Sequence, residues 1–184
     1  MEFLSGEEIY DRLMVNDIPA AKNSVLIVTA LAKQTIIERE RGEFVPFAKL
    51  ASDLAKKGVK IFLLLAGRPS RPFIMSLRQH RTIFQGLEIR ICVRNHMKIV
   101  LIDGSRMYLG SANLTGAGMG HKGANRRNFE FGILTENRQF IKDVSQIVLQ
   151  IWEGRHCATC RSRSYCERER REFEAALNGE FTKK

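Results

Sequence analysis

No stretch of this chain is apolar for long enough to cross a bilayer. The longest apolar runs, such as Ile61 to Ala66, stop far short of the roughly 20 residues a spanning helix needs. The N-terminus, Met-Glu-Phe-Leu-Ser-Gly-Glu-Glu, has no basic segment followed by an apolar one. No signal peptide is read there, and a cytoplasmic protein without stable membrane insertion is expected. Internal repeats and low-complexity linkers are also missing, which leaves one α/β domain with a small C-terminal appendage as the economical reading. Acidic residues are scarce: 20 Asp and Glu stand against 30 Lys and Arg, a net charge of +10. That imbalance favours a polyanionic partner, nucleic acid first and an anionic membrane surface second. Cysteine is sparse too. Three of the four (Cys157, Cys160, Cys166) fall close together, with Cys92 apart. In a cytosolic chain such clustering suggests a metal site more than a disulfide framework.

What is present fits a soluble domain with a sizeable core: 184 residues, 44% of them hydrophobic. Ser5-Gly6-Glu7-Glu8 has the capping-box pattern and predicts a helix to about Met14. VLIVT (25–29) and VKIFLLLA (59–66) read as buried strands. Between them Phe47, Leu50, Ala51 and Leu54 share one side of a helix that Gly58 stops. Strand, helix and strand at this spacing predict a βαβ unit with a parallel pair. Residues 31–45, with the run Glu38-Arg39-Glu40-Arg41, read as a helix or a loop. Ser70 and Pro72 open a further helix that ends before Gly86. Strands are expected at 87–93, 97–102, 107–109 and 129–135, with an Asp103-Gly104 turn. The Gly-rich, basic stretch 114–127 reads as a mobile loop, and 140–152 and about 167–177 as helices. The expected fold class is α/β: a mixed, largely parallel sheet flanked by helices in residues 1–153, then a basic, Cys-rich appendage and terminal helix in 154–184.

The strand at 97–102 is preceded by a histidine, and His96 and Lys98 share a face by alternation. With Asp103, Gly110, Ser111 and Asn113 they spell H-x-K-x4-D-x6-G-S-x-N. These groups suit a phosphodiester. Lys98 supplies a compact positive charge, Asn113 an amide N–H, Ser111 a hydroxyl, and Gly110 a close backbone approach. The imidazole of His96 can attack phosphorus or shuttle a proton, and the residues alone do not choose between these.

The pattern resembles the HKD motif of the phospholipase D superfamily, with every fixed position filled. Asn128-Phe129-Glu130 resembles the family's Asn-x-Glu strand, and LAKKGVKIFLL its helix-into-strand segment. The resemblance covers about residues 20–150. It implies that His96 is the nucleophile of a phosphohistidine intermediate, that Glu130 holds the histidine, and that Asp103 ties the turn together. It also implies a second histidine, yet none of His80, His121 and His156 has a lysine two residues on, as H-x-K requires. One chain carries half a site, and a twofold homodimer that brings two His96 rings together is expected. No metal is needed in such a mechanism.

A nuclease acting on DNA or RNA is the expected function. Lys122, Arg126, Arg127, Arg155, Arg161 and Arg163 are available to follow a phosphate backbone. A phospholipid phosphodiesterase or phosphatidyl transferase on the same motif is the alternative, and a catalytically silent nucleic-acid-binding subunit a third. In the tail, His156 and the cysteines read H-C-x2-C-x5-C. Cys157, Cys160 and Cys166 are metal-ligand candidates, with His156 or the remote Cys92 as the fourth. A structural zinc is expected because a histidine is local. The pattern with one distant cysteine also looks like the [4Fe–4S] pattern of RecB-like exonuclease domains.

Overall fold

The computed structural model describes residues 1–39 and 42–180. Its elements are β1 (Glu2–Ser5), α1 (Glu7–Ile9, continuing as a π-helix over Tyr10–Asp17), β2 (Ser24–Thr29), β3 (Ile36–Glu38), β4 (Phe44–Pro46), α2 (Phe47–Lys56), β5 (Lys60–Leu65) and α3 (Arg71–Gln79). After a 3-10 turn at Arg81–Gln85 come β6 (Leu87–Ile91), β7 (Ile99–Ile102), β8 (Arg106–Gly110), β9 (Phe131–Thr135), α4 (Arg138–Trp152) and α5 (Arg163–Asn178).

Seven strands form one sheet in the order β1-β9-β8-β7-β2-β5-β6, and β3 and β4 form a separate hairpin. The expected βαβ unit is present: β2 and β5 are parallel neighbours joined through α2. The mixed α/β sheet is also as expected, but its parallel share is confined to β2, β5 and β6. The ladders from β2 through β7, β8 and β9 to β1 are all antiparallel. The reason is connectivity. Where strands that follow one another in the chain also pair in this sheet, those joined through a helix are parallel (β2 with β5, β5 with β6), because a parallel neighbour needs a crossover, whereas Asp103-Gly104 turns β7 straight back into β8.

Two hydrophobic clusters cover the two faces. Val25 and Ile27 of β2 join Ile61, Leu63 and Leu65 of β5 in the larger, under α1, α2 and α3. Val28, Leu64, Ile99 and Met107 join Ile141 and Val148 of α4 in the smaller. Strands buried on both faces have to be apolar throughout, which is why SVLIVT and KIFLLL hardly alternate. Helix α2 buries Phe47, Leu50, Ala51 and Leu54 and stops at Gly58, whose φ of 86° is one that glycine adopts without the strain a side chain brings. The tail is anchored on the same core. Phe173 and Ala176 of α5 belong to the larger cluster, and Arg68 meets Glu172 at 2.9 Å.

Three local readings differ from the sequence. Residues 36–38 and 44–46 form a hairpin, held where the Tyr10 hydroxyl accepts the Glu38 N–H at 2.7 Å; Glu40 and Arg41 lie outside the described residues. Glu2–Ser5 is an edge strand on β9, ahead of α1, whose N-cap is Gly6 with no side-chain cap bond. Strands β7 and β9 begin later than expected, so His96, Lys98 and Glu130 lie in the segments leading into them.

Gly110 and Gly132 face each other across β8 and β9. A Cβ on Gly110 would overlap the Tyr108 hydroxyl and the Phe131 carbonyl, and one on Gly132 would strike the Tyr108 ring. Gly110 thus makes room for a buried ring, a different service from the close ligand approach expected of it. Tyr108 is fully buried and cannot swing aside. Gly132→Ala is expected to cost about 1–3 kcal/mol through overpacking, read as a lower urea midpoint with an unchanged slope.

Candidate active site

Alternating strand direction gathers the site at one edge of the sheet. Strands β2, β5 and β6 end there, at Thr29, Leu65 and Ile91. Strand β7 runs against β2, so it starts at that edge just after His96 and Lys98. Strand β8 ends there, delivering Ser111 and Asn113, and β9 starts there just after Glu130. The Gly110 N–H donates to the Lys98 carbonyl at 3.2 Å, which locks the two halves of the motif together.

Lys98 is 9% exposed, while His96 is exposed. The ammonium donates to the His96 carbonyl at 2.7 Å and stands 3.3 Å from each nitrogen of the His96 ring. An ammonium has only donors, so a ring nitrogen that engages it must offer a lone pair. Among the described residues, Lys98 forms no salt bridge. A buried cation without a counter-ion is costly, and an anion bound beside it removes that cost.

The Asn113 amide is oriented by its neighbours. Its Oδ1 accepts the Leu31 N–H at 3.1 Å and lies 3.1 Å from the Thr29 hydroxyl. With the oxygen fixed inward, the amide N–H groups are left to face the edge. Ser111 is engaged differently from the expectation. Its hydroxyl donates to Glu130 Oε2 in a very short hydrogen bond and accepts the Phe131 N–H at 3.1 Å. Asn128 donates to the other Glu130 oxygen at 3.1 Å. Within one chain, therefore, Glu130 is held by Ser111 and Asn128, and His96 is held by Lys98.

Asp103 sits at the opposite edge of the sheet, in the turn after β7. Its carboxylate accepts the N–H groups of Lys22, Asn23 and Ser24 at 3.0, 2.7 and 2.9 Å. It thus staples the turn to the start of β2, a structural duty matching the turn-tying role expected of it. Burial pushes its pKa up, but the Ser24, Lys22 and Asn23 donors outweigh this and hold it below the usual carboxylate value.

Sequence reasoning missed two supports. Asn95 is buried and donates to the Thr29 and Leu64 carbonyls at 3.1 and 3.2 Å, while its Oδ1 accepts the Met97 N–H. It fixes the segment carrying His96 across two strands. Thr29 reaches Asn113 from β2, and its hydroxyl also accepts the Leu114 N–H at 3.1 Å. Asn95 had one available signal, a polar residue one position before the motif; Thr29 had none, because its partners lie far away in sequence. Of the basic residues singled out, Lys122 and Arg126 are exposed in the loop after Asn113, but Arg127, Arg155 and Arg163 are paired with Glu7, Glu153 and Glu167.

The cysteines lie beyond β6. Cys92, Cys157, Cys160, Cys166 and His156 all line one cavity of about 890 Å³. The expected zinc set of Cys157, Cys160, Cys166 and His156 is not drawn together. Among the described residues no three His, Cys, Asp or Glu side chains stand close enough to hold one ion. Cys166 Sγ accepts the Val93 N–H at 3.3 Å, and Cys160 Sγ lies 3.8 Å from Arg94 Nη1.

A sheet edge offering an imidazole, a buried ammonium and an oriented amide defines a protein built to handle phosphate esters. The sequence matches the family described as "Cardiolipin synthase, PLD-like domain" over residues 14–152. The chain belongs to this phospholipase D-like superfamily of phosphodiesterases. No curated protein matches it. Among solved structures it resembles NucT from Helicobacter pylori, with 18% identity, a TM-score of 0.56, and 83% of this chain and 97% of that one covered. It resembles Nuc, a phospholipase D family member from Salmonella typhimurium, at 18% identity and a TM-score of 0.57 over 83% and 94% of the two chains. A phosphatidylserine synthase from Haemophilus influenzae matches at 16% identity and a TM-score of 0.53, over 81% of this chain and 37% of that one. These likenesses establish the fold. No helix among the described residues is long and apolar enough to cross a membrane.

Asp103→Asn is expected to lower stability at neutral pH. A carboxylate whose folded pKa is depressed adds stability above its unfolded pKa and loses it as pH falls through the folded value. The gap between variant and parent in thermal midpoint should therefore narrow as pH drops below the ordinary carboxylate range. A gap independent of pH would contradict the staple.

Proposed function

We propose that the chain is a nuclease that hydrolyses DNA or RNA at a site shared by two copies. The observation that carries this reading is Lys98, buried and forming no salt bridge among the described residues, next to an exposed imidazole. A phosphodiester supplies the missing negative charge. His96 attacks phosphorus, forming a phosphohistidine and breaking the ester bond to the leaving oxygen. The second subunit's imidazole protonates that oxygen, then takes a proton from the water that breaks the P–N bond. Two Lys98 ammoniums and two Asn113 amides stabilise the charge that builds on the phosphoryl oxygens.

Dimerisation is supported by the surface beside the site. Phe129, Phe131 and Phe3 are exposed, and the rings of Phe3 and Phe131 stack with centroids 6.2 Å apart. An exposed aromatic patch next to half a site suits a second copy of the same chain. Nucleic acid is favoured over lipid by the net charge of +10 and by Lys122 and Arg126, exposed in the loop that follows Asn113. Backbone contacts of that kind position a strand without reading its bases.

The purified chain, incubated with labelled DNA, RNA and phospholipid vesicles, is expected to cut nucleic acid, and to do so after brief exposure to EDTA. Headgroup release with DNA and RNA intact would instead establish the lipid reading, and binding without cleavage at every pH the silent-subunit reading. His96→Ala should abolish cleavage while gel filtration still returns a dimer. Asn113→Ala should lower kcat by about 10²–10³-fold, the usual loss for one preorganised donor. A strictly monomeric active species would end the shared-site proposal.

A further inference from the structure

The cavity beyond β6 has no part in the phosphoryl chemistry, yet it collects every cysteine of the chain. Three different elements bring them there. Cys92 directly follows β6, and its N–H donates to the Leu65 carbonyl at 2.9 Å, so its backbone is fixed to the central sheet. Cys157 and Cys160 sit in the turns between α4 and α5, where the Cys160 N–H bonds the Cys157 carbonyl at 3.3 Å. Cys166 lies in the first turn of the 16-residue α5, facing the Val93 N–H. All four are free thiols. Arg94 and Arg163 line the same cavity, and Arg94 already touches a sulfur.

We propose that Cys92, Cys157, Cys160 and Cys166 bind an iron–sulfur cluster of the [4Fe–4S] kind, which fastens the C-terminal tail to the segment carrying His96. The number and spread of the cysteines favour a cluster over a single ion. One zinc would pull its sulfurs to about 2.3 Å from a point. Among the described residues no three candidate side chains gather around a point, although all four cysteines line a common space. A cage in which each iron takes one thiolate is met by ligands spread in this way. The set is complete without His156, whose adjacency to Cys157 makes it an awkward joint ligand. An N–H aimed at Cys166 and a guanidinium at Cys160 are the groups expected around anionic sulfur, because they offset the net negative charge of four thiolates on a cluster.

The position gives the cluster a structural duty. Cys92 is four residues before His96, and between them Asn95 is pinned to β2 and β5. Ligation would tie that segment to α5 from the other side. The assignment stands or falls independently of which phosphodiester the site cleaves.

The test is to purify the full chain without oxygen and measure bound metal. Iron and acid-labile sulfide in equal amounts, about four of each per chain, and a brown colour are expected. Cys92→Ser and Cys157→Ser should each lose most of both, whereas His156→Ala should keep them. Cys157 is exposed, so its replacement leaves the core intact and guards against misreading a folding defect; circular dichroism of each variant checks this. Limited proteolysis should cut the 154–162 turns faster in Cys157→Ser than in the parent. Zinc in place of iron, iron without sulfide, full cluster content in Cys92→Ser, or metal loss in a folded His156→Ala would each overturn the assignment.

Discussion

A buried lysine that forms no salt bridge among the described residues is the constraint around which this structure is arranged. Lys98 reaches its place because β7 begins beside β2, and its carbonyl is taken by Gly110 at the end of β8. The register of β7 against β8 thus sets the distance between the two halves of the motif. A one-residue slip would send the lysine to the other face, and the pairing of Ile99 with Leu109 prevents it. The glycines opposite each other on β8 and β9 serve the same end from below, by letting Tyr108 fill the space under the edge. Burial pushes the Tyr108 phenol up to about 12, so the ring stays neutral beneath a site that carries charge.

Much of this was legible in the chain. The motif's spacing led to the residues at the sheet edge, and the apolar runs at 24–29 and 60–65 led to the parallel pair. The order of the remaining strands was not legible, because register and neighbours are set by pairings between distant segments. The partner of Ser111 was not legible for the same reason: Glu130 lies 19 residues on, and within one chain the hydroxyl donates to that carboxylate. The hairpin at 36–38 and 44–46 was hidden because each of its strands is only three residues long, too short for an alternation to show.

The C-terminal segment reads differently in structure than in sequence. As a string it is a basic, cysteine-rich appendage. Folded, it buries Phe173 and Ala176 in the main core, and Arg68 bridges to it through Glu172 and a backbone bond to Glu169. The cavity it forms with β6 is therefore walled by segments far apart in the chain, residues 64 and 89–95 on one side and 147–170 on the other, so its shape depends on how α5 docks.

One side chain stands where these regions meet. Trp152, the sole tryptophan, ends α4, packs edge-on against Phe62 of β5 with centroids 5.6 Å apart, and lies under the Arg90 guanidinium. It lines the cysteine cavity on one side and an apolar groove with Leu26 and Val148 on the other. The molecule therefore carries a single indole emitter at the joint between sheet, helix and tail. Its fluorescence is a built-in optical gauge of that joint: any change in the cavity or in how α4 lies on β5 alters one signal, with no second fluorophore of its kind to confuse the reading.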